Sequence, residues 1–141
     1  MPLTVEVADS VVAELNAATL SQTFEAQRLY RPQFDAAQLK TLRVSVVPKK
    51  IEIATASRGS NQYDVSIDVA VQKKLDSDAN DAIDPLMQLV EEIGEFFRLR
   101  PLASVAAAWI KTENAPIYAL EHLEQQRVFT SVLTLTFRTV R

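Results

Sequence analysis

Residues 127–141 alternate apolar and polar side chains. Phe129, Leu133, Leu135 and Phe137 share one parity, and Thr130, Thr134, Thr136 and Arg138 the other. A period of two in β-favouring residues predicts a long strand with one buried face, running to the final residue. Val65, Ile67, Val69 and Val71 alternate in the same way with Ser66, Asp68, Ala70 and Gln72. Leu42, Val44 and Val46 mark another strand on even numbers, but after Pro48 the apolar positions move to Ile51 and Ile53. A parity switch across a proline predicts a bulge that keeps one face inward. Ser57-Arg-Gly-Ser-Asn-Gln62 is a turn by composition, so these strands form a long hairpin with a polar tip. Residues 24–30 alternate as well and stop at Arg31-Pro32, whose missing N–H suits an edge strand.

Two segments carry helical spacing instead. Residues 7–18 fit a first helix, with Asp9 and Ser10 as caps and Val11, Val12 and Leu15 as its stripe. In the second, Asp84-Pro85 reads as a cap followed by proline at the first helical position. Ile83, Leu86, Met87, Val90, Ile93, Gly94 and Phe97 follow the helical period, while Glu91, Glu92 and Glu95 crowd the other side. Arg98 and Arg100 suit the negative end of the helix dipole, and Pro101 stops it. Gly94, within the stripe, is either a point of close approach to the sheet or a tolerated glycine. Residues 102–108 read as a loop, 109–113 as a strand that Asn114-Ala-Pro-Ile-Tyr118 breaks, and 121–126 as a helical turn. The order α-β-ββ-α-ββ predicts an α+β fold: an antiparallel or mixed sheet of hairpins packed with two main helices. With no repeat or linker, residues 1–141 make one domain.

Composition removes much chemistry. The 141 residues hold no cysteine, which excludes disulfides, thiolate metal sites and cysteine nucleophiles. Only two glycines, Gly59 and Gly94, are present, too few for a phosphate-cradling loop. The net charge of -3, without a basic run, argues against a sequence-specific nucleic-acid footprint. No apolar stretch approaches the ~20 residues of a membrane span, and the opening Met-Pro-Leu-Thr-Val-Glu lacks the pattern of a secretory signal. A cytoplasmic origin is the expectation.

The remaining candidates for chemistry are weak. Asp76-Ser-Asp-Ala-Asn-Asp81 begins like a calcium loop but has Asp81 where glycine is needed and Met87 where the bidentate glutamate belongs, so an acidic turn is expected and no metal. His122 is the single histidine and has no recognisable nucleophile beside it. Glu91 and Glu95 stand one turn apart and read as a solvated face. Trp109, Phe129 and Phe137 read as core or interface, and Tyr118 beside Pro116 as an exposed aromatic suited to a partner. No catalytic residue, cofactor or metal is expected.

Tyr30-Arg-Pro-Gln-Phe34 followed by Leu39-Lys-Thr-Leu-Arg-Val-Ser-Val-Val-Pro48 resembles a tail-assembly protein of long-tailed bacteriophages. Ser57-Arg-Gly59, Val71-Gln-Lys-Lys74, residues 86–97, Asn114-Ala-Pro-Ile-Tyr118 and Phe129-Thr-Ser-Val-Leu-Thr-Leu-Thr-Phe137 extend the likeness over nearly the whole chain. The nearest class is the tail terminator, or tail-completion, proteins, whose motifs are structural. The resemblance implies a homo-oligomeric ring, commonly of six subunits, at the head-proximal end of the tail. Such a ring ends tube polymerisation, contacts the tail tube protein and the head-tail connector, and passes from the host cytoplasm into the virion. The alternatives are a head-tail neck adaptor or, from another class, a small enzyme or ligand-binding α+β domain with a pocket around His122. On physical grounds the partner or oligomer surface is expected at the hairpin tip, Arg58, Ser60, Asn61 and Gln62, and at Pro116 and Tyr118. Val128 and Val132, opposite in parity to Phe129 and Leu133, add a second apolar face, covered either by a neighbouring subunit or by the chain's own helices.

Overall fold

The computed structural model describes residues 2–30, 38–76, 80–115 and 117–141. Its elements are helix α1 (Leu3–Ala17), strand β1 (Ala26–Arg28), strands β2 (Arg43–Ser57) and β3 (Ser60–Lys74), helix α2 (Asn80–Phe97), strand β4 (Ala108–Asn114), helix α3 (Leu120–Gln126) and strand β5 (Val128–Val140). A 3-10 turn, Gln38–Lys40, precedes β2. The chain is an α+β protein. Among the described residues five strands lie in the order β1-β2-β3-β5-β4, so β5 inserts between β3 and β4. β1 runs parallel to β2, and the other pairings are antiparallel.

Register explains the core. Val69 lies opposite both Val46 and Leu133, and Ile67 opposite Leu135. Odd residues of β3 and β5 therefore share one face, called inner below. α1 covers it with Val7, Val11 and Leu15, and α2 with Leu86, Leu89, Val90, Ile93 and Phe97. Phe97 meets Phe137 edge-on at 6.2 Å between ring centres. The predicted bulge is present: the β2 register slips between Pro48 and Lys50, so Ile51 still faces Val65 and Ile53 still faces Tyr63.

Both main helices begin earlier than their cap signals predicted. α1 starts at Leu3 behind Pro2, which places Asp9 and Ser10 inside it. Ser10 is buried, and Asp9 accepts a hydrogen bond from Arg28 Nε at 2.7 Å. Leu3, Val7 and Val11 already repeat at one helical face, and burying that face outweighs a local capping preference. α2 starts at Asn80, so Pro85 lies within it rather than at its first position. Pro85 O accepts from Gln22 Nε2 at 3.0 Å. The end of α2 matches expectation: Arg100 Nε donates to Phe96 O at 3.0 Å, its guanidinium lies 3.9 Å above the Phe96 ring, and it pairs with Glu14 of α1 at 3.3 Å. A Cβ at Gly94 would meet Leu133 Cδ2 at 3.9 Å, an ordinary contact, so close approach to the sheet does not require glycine there.

The edge strand β1 is short because little holds it. The Asn16 side chain at the end of α1 clamps it instead of a further described strand, accepting from Ala26 N at 2.8 Å and donating to Ala26 O at 3.2 Å. Pro32, expected to end this strand, lies outside the described residues, as do 77–79 of the acidic turn. Arg127, at φ 51°, turns the chain from α3 directly into β5.

Candidate functional site

The pleat carries the inner-face parity of β2 through the bulge and along the arm toward the tip. Val65 is buried, yet Ile51 opposite it is 39% exposed and Ile53 is 60% exposed. Two isoleucines of a hairpin arm thus extend the core face into solvent. Their side chains were expected to be covered, but cover is incomplete at this edge of the sheet, although Thr139, in line with Ile53 on β5, is buried and Glu6 of α1 reaches Arg141 at 3.9 Å.

At the tip, Ser57 and Ser60 share a hydroxyl hydrogen bond of 2.6 Å, and Arg58 and Asn61 are exposed. Asn61 and Arg141 exchange two main-chain hydrogen bonds at 2.6 and 2.9 Å, and Gln62 lies opposite Val140. The structure thus brings Arg58, Ser60, Asn61 and Gln62 together beside the end of β5. Val128 is at the opposite end of that strand, roughly 40 Å away at about 3.4 Å per residue. Tyr118 is exposed, as are Ile117 and Leu120 near it in sequence. Pro116 lies outside the described residues.

The outer face divides into two parts. Near the start of β5 it is closed by the chain itself: Ser45, Ala70, Gln72, Val128 and Thr130 are buried, and Val132 is half-buried. The 3-10 turn packs on β3 and α3 packs on β5, and Leu39, Val47, Ala70 and Val128 are buried apart from the main core. His122 belongs here. Its Nδ1 is 3.0 Å from Thr130 Oγ1, which accepts from Gln72 Nε2 at 3.4 Å. The described partner of the histidine is a hydroxyl rather than a carboxylate.

Toward the arm the outer face becomes a lattice of opposite charges. Arg138 donates to both oxygens of Asp64 at 2.8 and 3.1 Å, which holds the Asp64 carboxyl below the usual range and the guanidinium above its own. Thr134 Oγ1 donates to Asp68 at 2.6 Å, with Lys49 at 3.6 Å. Lys50 binds Glu52 at 2.8 Å and Lys111 binds Glu113 at 3.0 Å, each pair along one strand. The hydrogen bond from each lysine lowers its glutamate's pKa. These pairs were not singled out from sequence, although opposite charges two apart in a predicted strand are a legible signal.

Both sheet edges are partly open. β1 covers only Val44–Val46 of β2, and among the described residues no strand pairs with the outward edge of its arm. β4 ends the sheet on the other side. Between β4 and α2 lies a cleft of about 360 Å³ lined by Val90, Glu91, Glu95, Arg98, Trp109 and Thr112, among others. Glu91 and Glu95, read from sequence as a solvated face, thus flank an opening whose floor includes Leu133. Trp109 is fixed there by its Nε1 donating to Thr112 Oγ1 at 2.8 Å.

Among the described residues, no group of three or more His, Asp or Glu side chains could hold a metal ion. No described helix is long and apolar enough to cross a membrane. No protein-family model and no curated protein matches the chain.

Proposed function

We propose that this protein is a structural subunit of a long phage tail, a terminator that self-associates into a ring and ends polymerisation of the tail tube. The observation that carries the reading is the arm: Ile51 and Ile53 continue the core face along the β2 edge toward the hairpin tip and stand exposed at 39% and 60%. A solitary soluble domain gains nothing by extending an apolar strand face into water, whereas an assembly subunit uses such a face on its neighbour. The likeness of residues 39–48 and 129–137 to tail-completion proteins supports the same role. Capping needs two unlike surfaces, one matching the last tube ring and one refusing another tube subunit. The arm tip at Arg58–Gln62 and the exposed Ile117–Tyr118 segment lie on different connections of the fold and offer two such surfaces.

Absolute mass by light scattering over a wide concentration range tests the reading. A discrete ring-sized species that adds to purified tail tubes and halts their growth is the expected result, with Ile53→Asp abolishing both. A chain that stays monomeric at every concentration and leaves tube growth unchanged would refute it.

A further inference from the structure

We propose that the outward edge of the β2 arm in one copy pairs antiparallel with the outward edge of β4 in the next, making one continuous sheet across the joint. The partner is a second copy of this chain, and the inference rests on the self-association proposed above. Each of these edges lacks a described strand partner, and each carries a lysine and a glutamate two residues apart on its outer face. Unpaired edges of this kind invite another strand.

Lys50 and Glu113, and Glu52 and Lys111, also attract one another across the outer face of a single subunit, where Lys50, Glu52 and Lys111 line one hollow; between copies the same signs favour one direction and register. With Ile51 opposite Thr112 in antiparallel pairing, Lys50 falls opposite Glu113 and Glu52 opposite Lys111. Both intrastrand pairs are exchanged for two cross-strand pairs of opposite sign. Parallel pairing in the matching register sets Lys50 against Lys111 and Glu52 against Glu113, which is repulsive.

The other face agrees. Trp109 and Thr112 face inward on β4, because they oppose Phe137 and Leu135 with a bulge between Trp109 and Lys111. Antiparallel addition places Ile51 beside Thr112 and Ile53 beside the bulge, at the mouth of the cleft between α2 and β4. The exposed isoleucines thereby gain the apolar cover they lack, from Trp109 and Val90 of the neighbour. Donor and acceptor are different edges of the same subunit, so the contact is head-to-tail. Such a contact closes into a ring when the rotation permits.

The chain contains no cysteine, so Ile51→Cys with Thr112→Cys introduces the only two. Directly opposed residues of an antiparallel pair lie about 4.5–5.5 Å apart, within disulfide reach. Mild oxidation should yield covalent species of two, three and more chains, while neither single variant does so. Exchanging Lys111→Glu with Glu113→Lys keeps the pair within β4 and the net charge but opposes like charges across the joint and, more weakly, across the subunit's own outer face, so the monomer's unfolding midpoint is measured beside its association. It should weaken association about tenfold, and Lys50→Glu with Glu52→Lys should restore it. Oligomers that form without the 51–112 cross-link overturn the edge pairing and leave self-association standing. Disulfide dimers from Thr112→Cys alone do the same, since they indicate two β4 edges meeting. A monomer at every concentration overturns both.

Discussion

Ile67 and Ile53 occupy the same face of the same hairpin, yet Ile67 is fully buried and Ile53 is 60% exposed. Replacing each by alanine removes the same three carbons. At Ile67 the transfer contribution is about 2.4 kcal/mol, from roughly 0.8 kcal/mol per buried carbon. The cavity left between Pro48, Leu135 and the helices brings the loss to about 3–4 kcal/mol. At Ile53 less than half of the side chain is covered and water fills the space left, so the loss is under about 1 kcal/mol. Urea unfolding followed by circular dichroism, at a concentration where the protein is monomeric, measures both. With a slope of about 2 kcal/mol per molar, Ile67→Ala should lower the midpoint by about 1.5–2 M and Ile53→Ala by less than about 0.5 M. Equal shifts would mean that the arm packs on its own chain, and the interface reading would fall. A shift below about 0.5 M for Ile67→Ala would mean that the inner face is not the core.

Leu135→Asp places a carboxylate on the fully buried inner face and should leave no soluble folded protein, as judged by expression and gel filtration; a folded variant would contradict the β5 parity. Asn16→Ala removes both hydrogen bonds that clamp Ala26, so amide exchange in β1 should quicken at a stability cost of about 1–3 kcal/mol, with Val44 and Val69 staying protected. The Asp64 carboxyl is held low by Arg138, so its stabilisation is complete above the ordinary carboxylate pKa of about 4 and is lost as pH falls through the lower folded value. Acid titration of unfolding below about pH 4 should therefore be shallower in Asp64→Asn than in the parent, and identical curves would remove the coupling. Arg58→Glu, at the exposed tip, should leave the unfolding midpoint unchanged and impair tail assembly; unaltered tail yield would exclude the tip from docking.

Much of the fold was legible because its signals are local. Alternation in residues 65–71 and 129–137 is a property of the pleat. Val65, Ile67, Val69, Val71, Phe129, Leu133, Leu135 and Phe137, which it set on one face, are all buried there, together with Ser131 and Thr139, which it did not single out. The Pro48 parity switch is likewise local, since an inserted residue must reverse the alternation wherever the strand goes. Helix starts were less legible. Asp9-Ser10 and Asp84-Pro85 are strong cap signals, but α1 and α2 both extend upstream of them. Burial of Leu3 and Val7 is a tertiary gain that no capping preference records.

The sequence alone determined the α+β class, the parity of the strands, the bulge and the lack of cysteine chemistry, because each depends on neighbouring residues or on composition. Only the tertiary structure decided where coverage ends. Ile51, Ile53 and Ile67 look alike in a hydrophobic pattern, yet exposure depends on how far α1 and α2 reach across the sheet. In the same way Val128 looked available to a neighbour and is buried by its own chain. Strand order brought Lys111 and Glu113 to one open edge and left Lys50 and Glu52 on the other. A pleat is set by adjacent residues, whereas an edge or a cover is set by segments far away in the chain.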